Sequence, residues 1–380
     1  MTIDEPSDEA RVAAAPKVLL HDHLDGGLRP VTVIELADAI GWTLPASDPA
    51  SLQQWFTRGA DTRDILQYLA TFEHTVAVMQ TAAAIERVAA EAVVDLATDG
   101  VVYAEVRYAP ELHQANGLSL DAVTEAVTSG YRRGEAEARA AGREITVNAI
   151  CCAMRTGSRS LEIARFVDAR RQVDDKVVAF DLAGAETGWP PSLHAEALAF
   201  ARQRHLNITI HASEPPDLEL ISDAIAHGAH RIGHGVRLGS DTSIGDDGEL
   251  LLGPLARHVL DHRIHLEMAP TCNVQIGAVP AVGTHPIGAF LRAGFNVGVN
   301  TDNRLMSGVT PSSELLAVAR AFELTWTEVG ALVTNAAASA FAPFEQRARL
   351  IDTIKAVFDS VAGAGAGVVA GASSPTIWAC

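Results

Sequence analysis

Eight short runs of apolar and β-branched residues, at about 17–24, 101–109, 145–154, 177–184, 208–212, 231–235, 264–270 and 295–303, constrain this 380-residue chain more than any other feature. Each has the length of a buried strand, and helical patterns separate nearly all of them. Residues 83–96 are rich in strong helix formers, with Ile85, Val88, Ala92 and Leu96 spaced along one face. Thr325-Trp-Thr-Glu328 has the form of a capping box, and shorter connecting helices are expected at 192–205, 217–227, 284–293 and 312–322. Strands that alternate with helices pair in parallel and are covered on both faces, and eight such units favour a closed α/β barrel of the (β/α)8 (TIM) type over an open sheet. The long excursion at 31–100 carries Trp55, Phe56, Tyr68, Leu69, Phe72 and Met79. It reads either as an outer packing layer or as additional helices forming a lid over the C-terminal face of the barrel.

In such a barrel the active site lies at the C-terminal ends of the strands. Several of the runs end there in a titratable residue. Lys17-Val-Leu-Leu-His21-Asp22-His23-Leu-Asp25-Gly26 sets two imidazoles two residues apart, on the same side of a strand, so that both can reach one ion. Ile208-Thr-Ile-His211-Ala-Ser-Glu214 ends in a histidine and then a carboxylate, Arg231-Ile-Gly-His234-Gly in a histidine between glycines, and Phe295-Asn-Val-Gly-Val-Asn-Thr-Asp302-Asn303 in an acid. His21, His23, His211 and Asp302 form a nitrogen and oxygen set suited to one Zn2+ per chain, with a position left open for water. A bound dication lowers the pKa of that water from 15.7 toward about 7. His234 is placed to orient the resulting hydroxide and to take its proton, and Glu214 is the candidate general acid, a role that requires burial to raise its pKa. The remaining ten of the fourteen histidines, His74, His113, His194, His205, His227, His230, His258, His262, His265 and His285, lack this strand-end placement and read as ordinary. Gly184, Gly233 and Gly235 read as residues of tight strand-to-helix turns.

The length allows one large domain or two ordinary ones. The formal net charge of −18 repels phosphate backbones and anionic membranes, so neither nucleic acid nor a membrane surface is an expected partner. The four cysteines, Cys151, Cys152, Cys272 and Cys380, make no disulfide framework, which suits a reducing cytoplasm. The N-terminus is acidic where a secretory signal would be basic and apolar, and no apolar stretch approaches 18 residues. Residues 1–16 read as a flexible leader, 17–360 as one metal-dependent domain, and the Gly/Ala-rich residues 361–380 as a flexible tail.

Taken in order, His21-x-His23-Leu-Asp25-Gly, Asp181-Leu-Ala-Gly184-x-Glu186, His211-Ala-x-Glu214, Arg231-Ile-Gly-His234-Gly, Pro270-Thr-x-Asn273 and Asn300-Thr-Asp302 resemble the adenosine deaminase family of the amidohydrolase superfamily over about residues 17–340. The resemblance implies a zinc-dependent hydrolase that adds water at C6 of a purine and releases ammonia, with a small purine nucleoside as its partner. It implies that His21, His23, His211 and Asp302 bind the metal, that Glu214 protonates purine N1, and that His234 stands beside the attacking hydroxide. It also implies that Asp25 contacts the ribose 5′-hydroxyl and that Gly184 offers a backbone donor toward N3, with His23 and Asn303 completing the substrate contacts. The cytidine deaminase pattern of H-x-E with P-C-x-x-C is not present.

Three positions depart from the common family pattern. Asn303 stands where many members have an aspartate facing N7, and its amide can donate where an ionised aspartate only accepts. Ser213 replaces a glycine, and Cys272 a serine. Adenosine, and with it 2′-deoxyadenosine, is the expected substrate. The alternatives are a modified adenine nucleoside of the aminofutalosine type, or adenine itself, on the same scaffold, and from another class a catalytically silent purine-binding protein. Asp25 favours a nucleoside, and AMP is disfavoured by the lack of a basic phosphate cluster. The sequence leaves the oligomeric state open.

Overall fold

The computed structural model describes residues 6–362. Eight parallel strands pair in sequential order: β1 (Lys17–His23), β2 (Val101–Tyr108), β3 (Thr146–Met154), β4 (Val177–Ala183), β5 (Asn207–Ala212), β6 (Arg231–His234), β7 (His265–Met268) and β8 (Val297–Val299). A parallel bridge between Asp22 and Asp302 brings the two edges together and closes the (β/α)8 barrel. A separate antiparallel hairpin, Thr242–Ile244 with Leu250–Leu252, sits between β6 and β7.

The seam between β8 and β1 departs from the expected strand at 295–303. Regular pairing stops at Val299 because Asn300 replaces backbone with side chain: its Oδ1 accepts from the amides of Leu20 and His21 at 2.9 and 3.0 Å. Asp302 then takes a left-handed conformation, φ +57°, which ends the extended run. The seam is still pinned by backbone bonds, His23 N to Asp302 O at 2.7 Å and Asp302 N to His21 O at 3.0 Å. Across β1 the register with β2 gains one residue between Leu19 and Asp22, a bulge beside the first histidine. The Leu20 carbonyl in this bulge accepts from Arg107 Nη2 at 2.7 Å.

The excursion between β1 and β2 is helical: Pro30–Ile40, Pro49–Ala60, Ile65–Ala70, Phe72–Val78 and Ala82–Thr98. Its two expected roles are divided along its length. Trp55 and Phe56 pack edge-on against His74, which also accepts from Trp42 Nε1 at 3.0 Å, as an outer layer. Ile65, Tyr68, Leu69 and Phe72 instead roof the C-terminal mouth of the barrel, and Tyr68 Oη meets Ser307 Oγ at 3.2 Å to tie the roof down. The Thr325/Glu328 capping box is present at the start of the helix Trp326–Ser339.

A second expectation is corrected. The presumed leader at 1–16 contains a helix, Pro6–Ala14, because it has an apolar and a cationic anchor: Val12 is buried, and the Arg11 guanidinium lies 3.8 Å over the Trp326 ring. At the other end the helix Phe344–Ala362 packs Phe358 on the same tryptophan. The rest of the expected tail, 363–380, and residues 1–5 lie outside the described residues. Among the described residues no helix is long and apolar enough to cross a membrane.

Candidate active site

Four side chains from three parts of the chain converge above the barrel axis. His21 and His23 come from β1, His211 from β5, and Asp302 from just beyond β8, and one potential ligand atom of each lies within 4.8 Å of the others. His21 Nε2 is 3.2 Å and His23 Nε2 3.5 Å from Asp302 Oδ1, and the Nε2 atoms of His23 and His211 are 3.1 Å apart. Gly233 makes the convergence possible, since a Cβ there would stand 3.1 Å from the His21 ring and from the His211 backbone.

The tautomers follow from what lies behind the rings. His21 Nδ1 is 2.9 Å from Glu267 Oε2, and His211 Nδ1 is 3.1 Å from Asp181 Oδ2. Both carboxylates are ionised despite burial: His211 and Arg107 hold Asp181 far below the usual range, while Arg107 and Arg231 hold Glu267 at about 2. An ionised carboxylate only accepts, so each Nδ1 donates and each Nε2 presents a lone pair to the centre. Burial, together with Arg107 and the neighbouring imidazoles, keeps His21 and His23 well below their usual pKa and therefore neutral. His21 Nε2 is buried with no hydrogen-bond donor facing it. Lone pairs converging on a carboxylate repel one another unless a cation stands among them, so this donor set fits a divalent metal ion.

Beneath the imidazoles the barrel interior is charged. Arg107 bridges Asp181 and Glu267 at 2.9 and 2.7 Å, and Arg231 bridges Glu267 and Glu105, both at 2.6 Å. Thr209 Oγ1 donates to Glu267 at 3.0 Å. The sequence reading assigned none of these a role, although Glu105-Val-Arg107 in β2 and Glu267 in β7 place charges in otherwise apolar strands. That is the signal that could have found them.

A cavity of about 260 Å3 opens above this cluster. Of the nine residues expected at the site, eight line it: His23, Asp25, Gly184, His211, Glu214, His234, Asp302 and Asn303. The ninth, His21, lies behind them and is fully buried. The roof residues with Leu112 and Met154 supply an apolar wall. Burial drives the Glu214 carboxyl well above its usual range, and the charges of Glu186 and Asp302 push it further, which favours its protonated form. Its Oε1 is 3.5 Å from His234 Nε2. Glu186 accepts from the amides of Ser213 and Glu214 at 2.7 and 3.2 Å, fixing a turn in which Ser213 has φ +73°. Burial likewise raises Asp25 to about 7, and its Oδ1 has no partner. Asn303 packs its amide against Gly26, where a Cβ would collide with Oδ1 at 2.0 Å. Cys272 is buried, and its thiol hydrogen-bonds to Asp302.

His285 is not ordinary, contrary to expectation. It is buried, and its Nε2 lies 3.0 Å from Asn273 Oδ1, whose Nδ2 in turn lies 3.1 Å from His234 Nδ1. Nothing in the spacing of 234, 273 and 285 signals this, because the three meet only through the fold.

The family model for adenosine deaminase matches residues 16–357. An adenosine deaminase of Mycobacteroides abscessus is 50% identical over 349 residues, covering 91% of this chain and 96% of its own. The chain belongs to the adenosine deaminase family. Among solved structures, an amidohydrolase from Burkholderia ambifaria with bound Zn superposes with a TM-score of 0.81 at 21% identity, covering 95% of each chain. An adenine deaminase from Arthrobacter aurescens superposes at 0.76 with 24% identity, covering 90% of this chain and 99% of that one. At these identities both likenesses concern the fold. They place this adenosine deaminase family member in the (β/α)8 group.

Proposed function

We propose that this protein deaminates adenosine hydrolytically, giving inosine and ammonia, and accepts 2′-deoxyadenosine as well. The observation that carries the reading is a buried Glu214, its carboxyl pushed well above the usual range, in one cavity with a metal-type cluster and His234. Membership in a family whose relatives at 50% identity are adenosine deaminases supports the choice of reaction.

Three imidazoles and one carboxylate favour zinc, held by His21, His23, His211 and Asp302. When bound, the ion supplies a nucleophile at neutral pH by lowering the pKa of water from 15.7 to about 7. Glu214 donates its proton to N1 as the oxygen of water bonds to C6, so the ring does not accumulate a full negative charge. The proton of the new C6 hydroxyl then passes to the amino group, the C6–N bond breaks to release ammonia and leave the C6 carbonyl, and the other proton of the water restores Glu214. His234 faces the reacting carbon through Nε2. Asp25, an acceptor without a partner in the cavity wall, suits a ribose hydroxyl, which free adenine lacks. Gly184 at φ +98° turns backbone toward the purine, His23 borders it, and Asn303 is the partner of N7. The buried free thiols Cys151, Cys152 and Cys272 suit a reducing, cytoplasmic setting.

The test is ammonia release by purified protein from adenosine, 2′-deoxyadenosine and adenine, alongside elemental analysis. The reading expects one zinc per chain and turnover of both nucleosides far above adenine. Zinc-loaded protein that releases no ammonia from either nucleoside would refute it.

A further inference from the structure

Behind His234 runs a chain of hydrogen bonds whose direction is fixed at its far end. The backbone N–H of Ile287 can only donate, and it points to His285 Nδ1 at 3.1 Å. That nitrogen must therefore carry a lone pair, so in neutral His285 the proton sits on Nε2, which faces Asn273 Oδ1 at 3.0 Å. Burial holds His285 neutral, with its pKa near 3. With its oxygen committed to His285, Asn273 presents its amide nitrogen to His234 Nδ1, 3.1 Å away. The shape of an amide does not distinguish its two ends, but here the backbone donor does.

We propose that His285 and Asn273, neither of which lines the cavity, are positioning residues that fix His234 in the tautomer with its proton on Nε2. His234 Nδ1 accepts from Asn273 and has no room for a proton of its own. Nε2, the atom that faces Glu214 and the cavity, is a donor without a lone pair. His234 therefore cannot accept a proton from the attacking water at that atom, which revises the role as base expected from sequence. It donates a hydrogen bond to the oxygen arriving at C6, and preorganised donors of this kind stabilise charge developing in the transition state. The catalytic consequence rests on the deaminase reading, whereas the tautomer does not.

All three side chains are buried, so the chain is insulated from competing water. Asn273→Asp changes its polarity at nearly constant shape. An aspartate offers only acceptors, so His234 Nδ1 must then carry a proton and donate. His285→Leu removes the donor that orients the amide, and His285→Gln restores one at about the position of the ring Nε2.

The experiment is long-range proton–nitrogen correlation NMR on protein labelled with 15N-histidine and prepared without metal, with the His234 signals assigned by their loss in His234→Gln. In the wild type the proposal expects Nε2 protonated and Nδ1 not. In Asn273→Asp it expects protonated Nδ1. On zinc-loaded protein, kcat for adenosine should fall in Asn273→Asp by about 10²–10⁴-fold, the range for loss of a positioned proton-bearing group, with KM within about twofold. His285→Gln should recover more kcat than His285→Leu. An unprotonated Nε2 in the wild type overturns the proposal even if no variant folds. So does an Asn273→Asp protein that keeps the wild-type tautomer. A wild type without adenosine turnover but with the expected tautomer would count against the deaminase reading alone.

Discussion

Two layers of polar side chains sit one above the other in the barrel, and they are built in opposite ways. In the lower layer each carboxylate faces a guanidinium: Asp181 and Glu267 meet Arg107, and Glu105 and Glu267 meet Arg231. In the upper layer some acceptors face one another, as His21 Nε2 faces Asp302 Oδ1, and Asp25 Oδ1 has no partner. The backbone there is strained too, with Ser213, His234 and Asp302 at φ +73°, +60° and +57°. Unpaired polar atoms and left-handed non-glycine residues each cost free energy, and their clustering around one cavity is a mark of a functional site. The lower layer thus holds the structure, and the upper layer is held ready for a ligand.

The largest effect should come from breaking the lower layer. Glu267→Ala leaves Arg107 and Arg231 without one of their buried partners and releases the His21 ring. It should cost about 3–5 kcal/mol of stability, enough to unfold much of the protein, as measured by urea denaturation. A variant as stable as the wild type would show that the layer is dispensable.

His23→Ala, in the upper layer, should have the reverse signature. The His23 side chain is 15% exposed at the cavity wall and its ring meets the imidazoles of His21 and His211, so the metal-free variant should unfold within about 1 kcal/mol of the metal-free wild type, inside the range of mild substitutions. Zinc at about a hundred times its dissociation constant should stabilise the wild type by about 2.7 kcal/mol and leave the variant nearly unchanged. Equal thermal shifts in the two proteins would remove His23 from the ligand set.

Acid distinguishes the layers as well. Glu267 is depressed to about 2 in the folded chain from an ordinary value near 4.5. Its contribution to stability is therefore complete above pH 4.5 and is lost as pH falls toward 2. Denaturation of metal-free protein should show this decline below pH 4.5 on top of an earlier one that starts below pH 6.5, where the buried neutral imidazoles take up protons only on unfolding.

How much of this was legible follows from where each signal lies. His21, His23, His211 and Asp302 each end a short apolar run, and a parallel barrel gathers strand ends, so pattern and architecture together locate the cluster. The charged layer was less visible because Glu105, Arg107 and Glu267 interrupt apolar runs singly, and a lone charge in a strand pattern does not name its partner. The end of β8 was misjudged because the alternation continues past Val299, and only the fold reveals that the Asn300 side chain has replaced the ladder. His285 could not be seen at all, since its contact with Asn273 forms only where the helix Pro270–Gln275 meets the chain that follows it. The leader erred for a similar reason: Arg11 finds Trp326 only in three dimensions.

The smallest effect concerns Ser213. Its left-handed backbone costs a non-glycine residue roughly 1–2 kcal/mol, and its hydroxyl is buried without a partner. Ser213→Gly should raise the stability of the protein by up to about 1 kcal/mol, since glycine also adds entropy to the unfolded chain. A lower stability in calorimetry would mean that the serine makes a compensating contact.

The central claim, that Glu214 is a protonated donor above a metal-binding cluster, is tested most directly by measuring zinc content and adenosine turnover together in Glu214→Gln. The substitution is nearly isosteric and lies outside the four ligands. Zinc should remain at one per chain while kcat falls by about 10²–10⁴-fold, the contribution of a positioned general acid. Near-normal turnover with zinc retained would contradict the account.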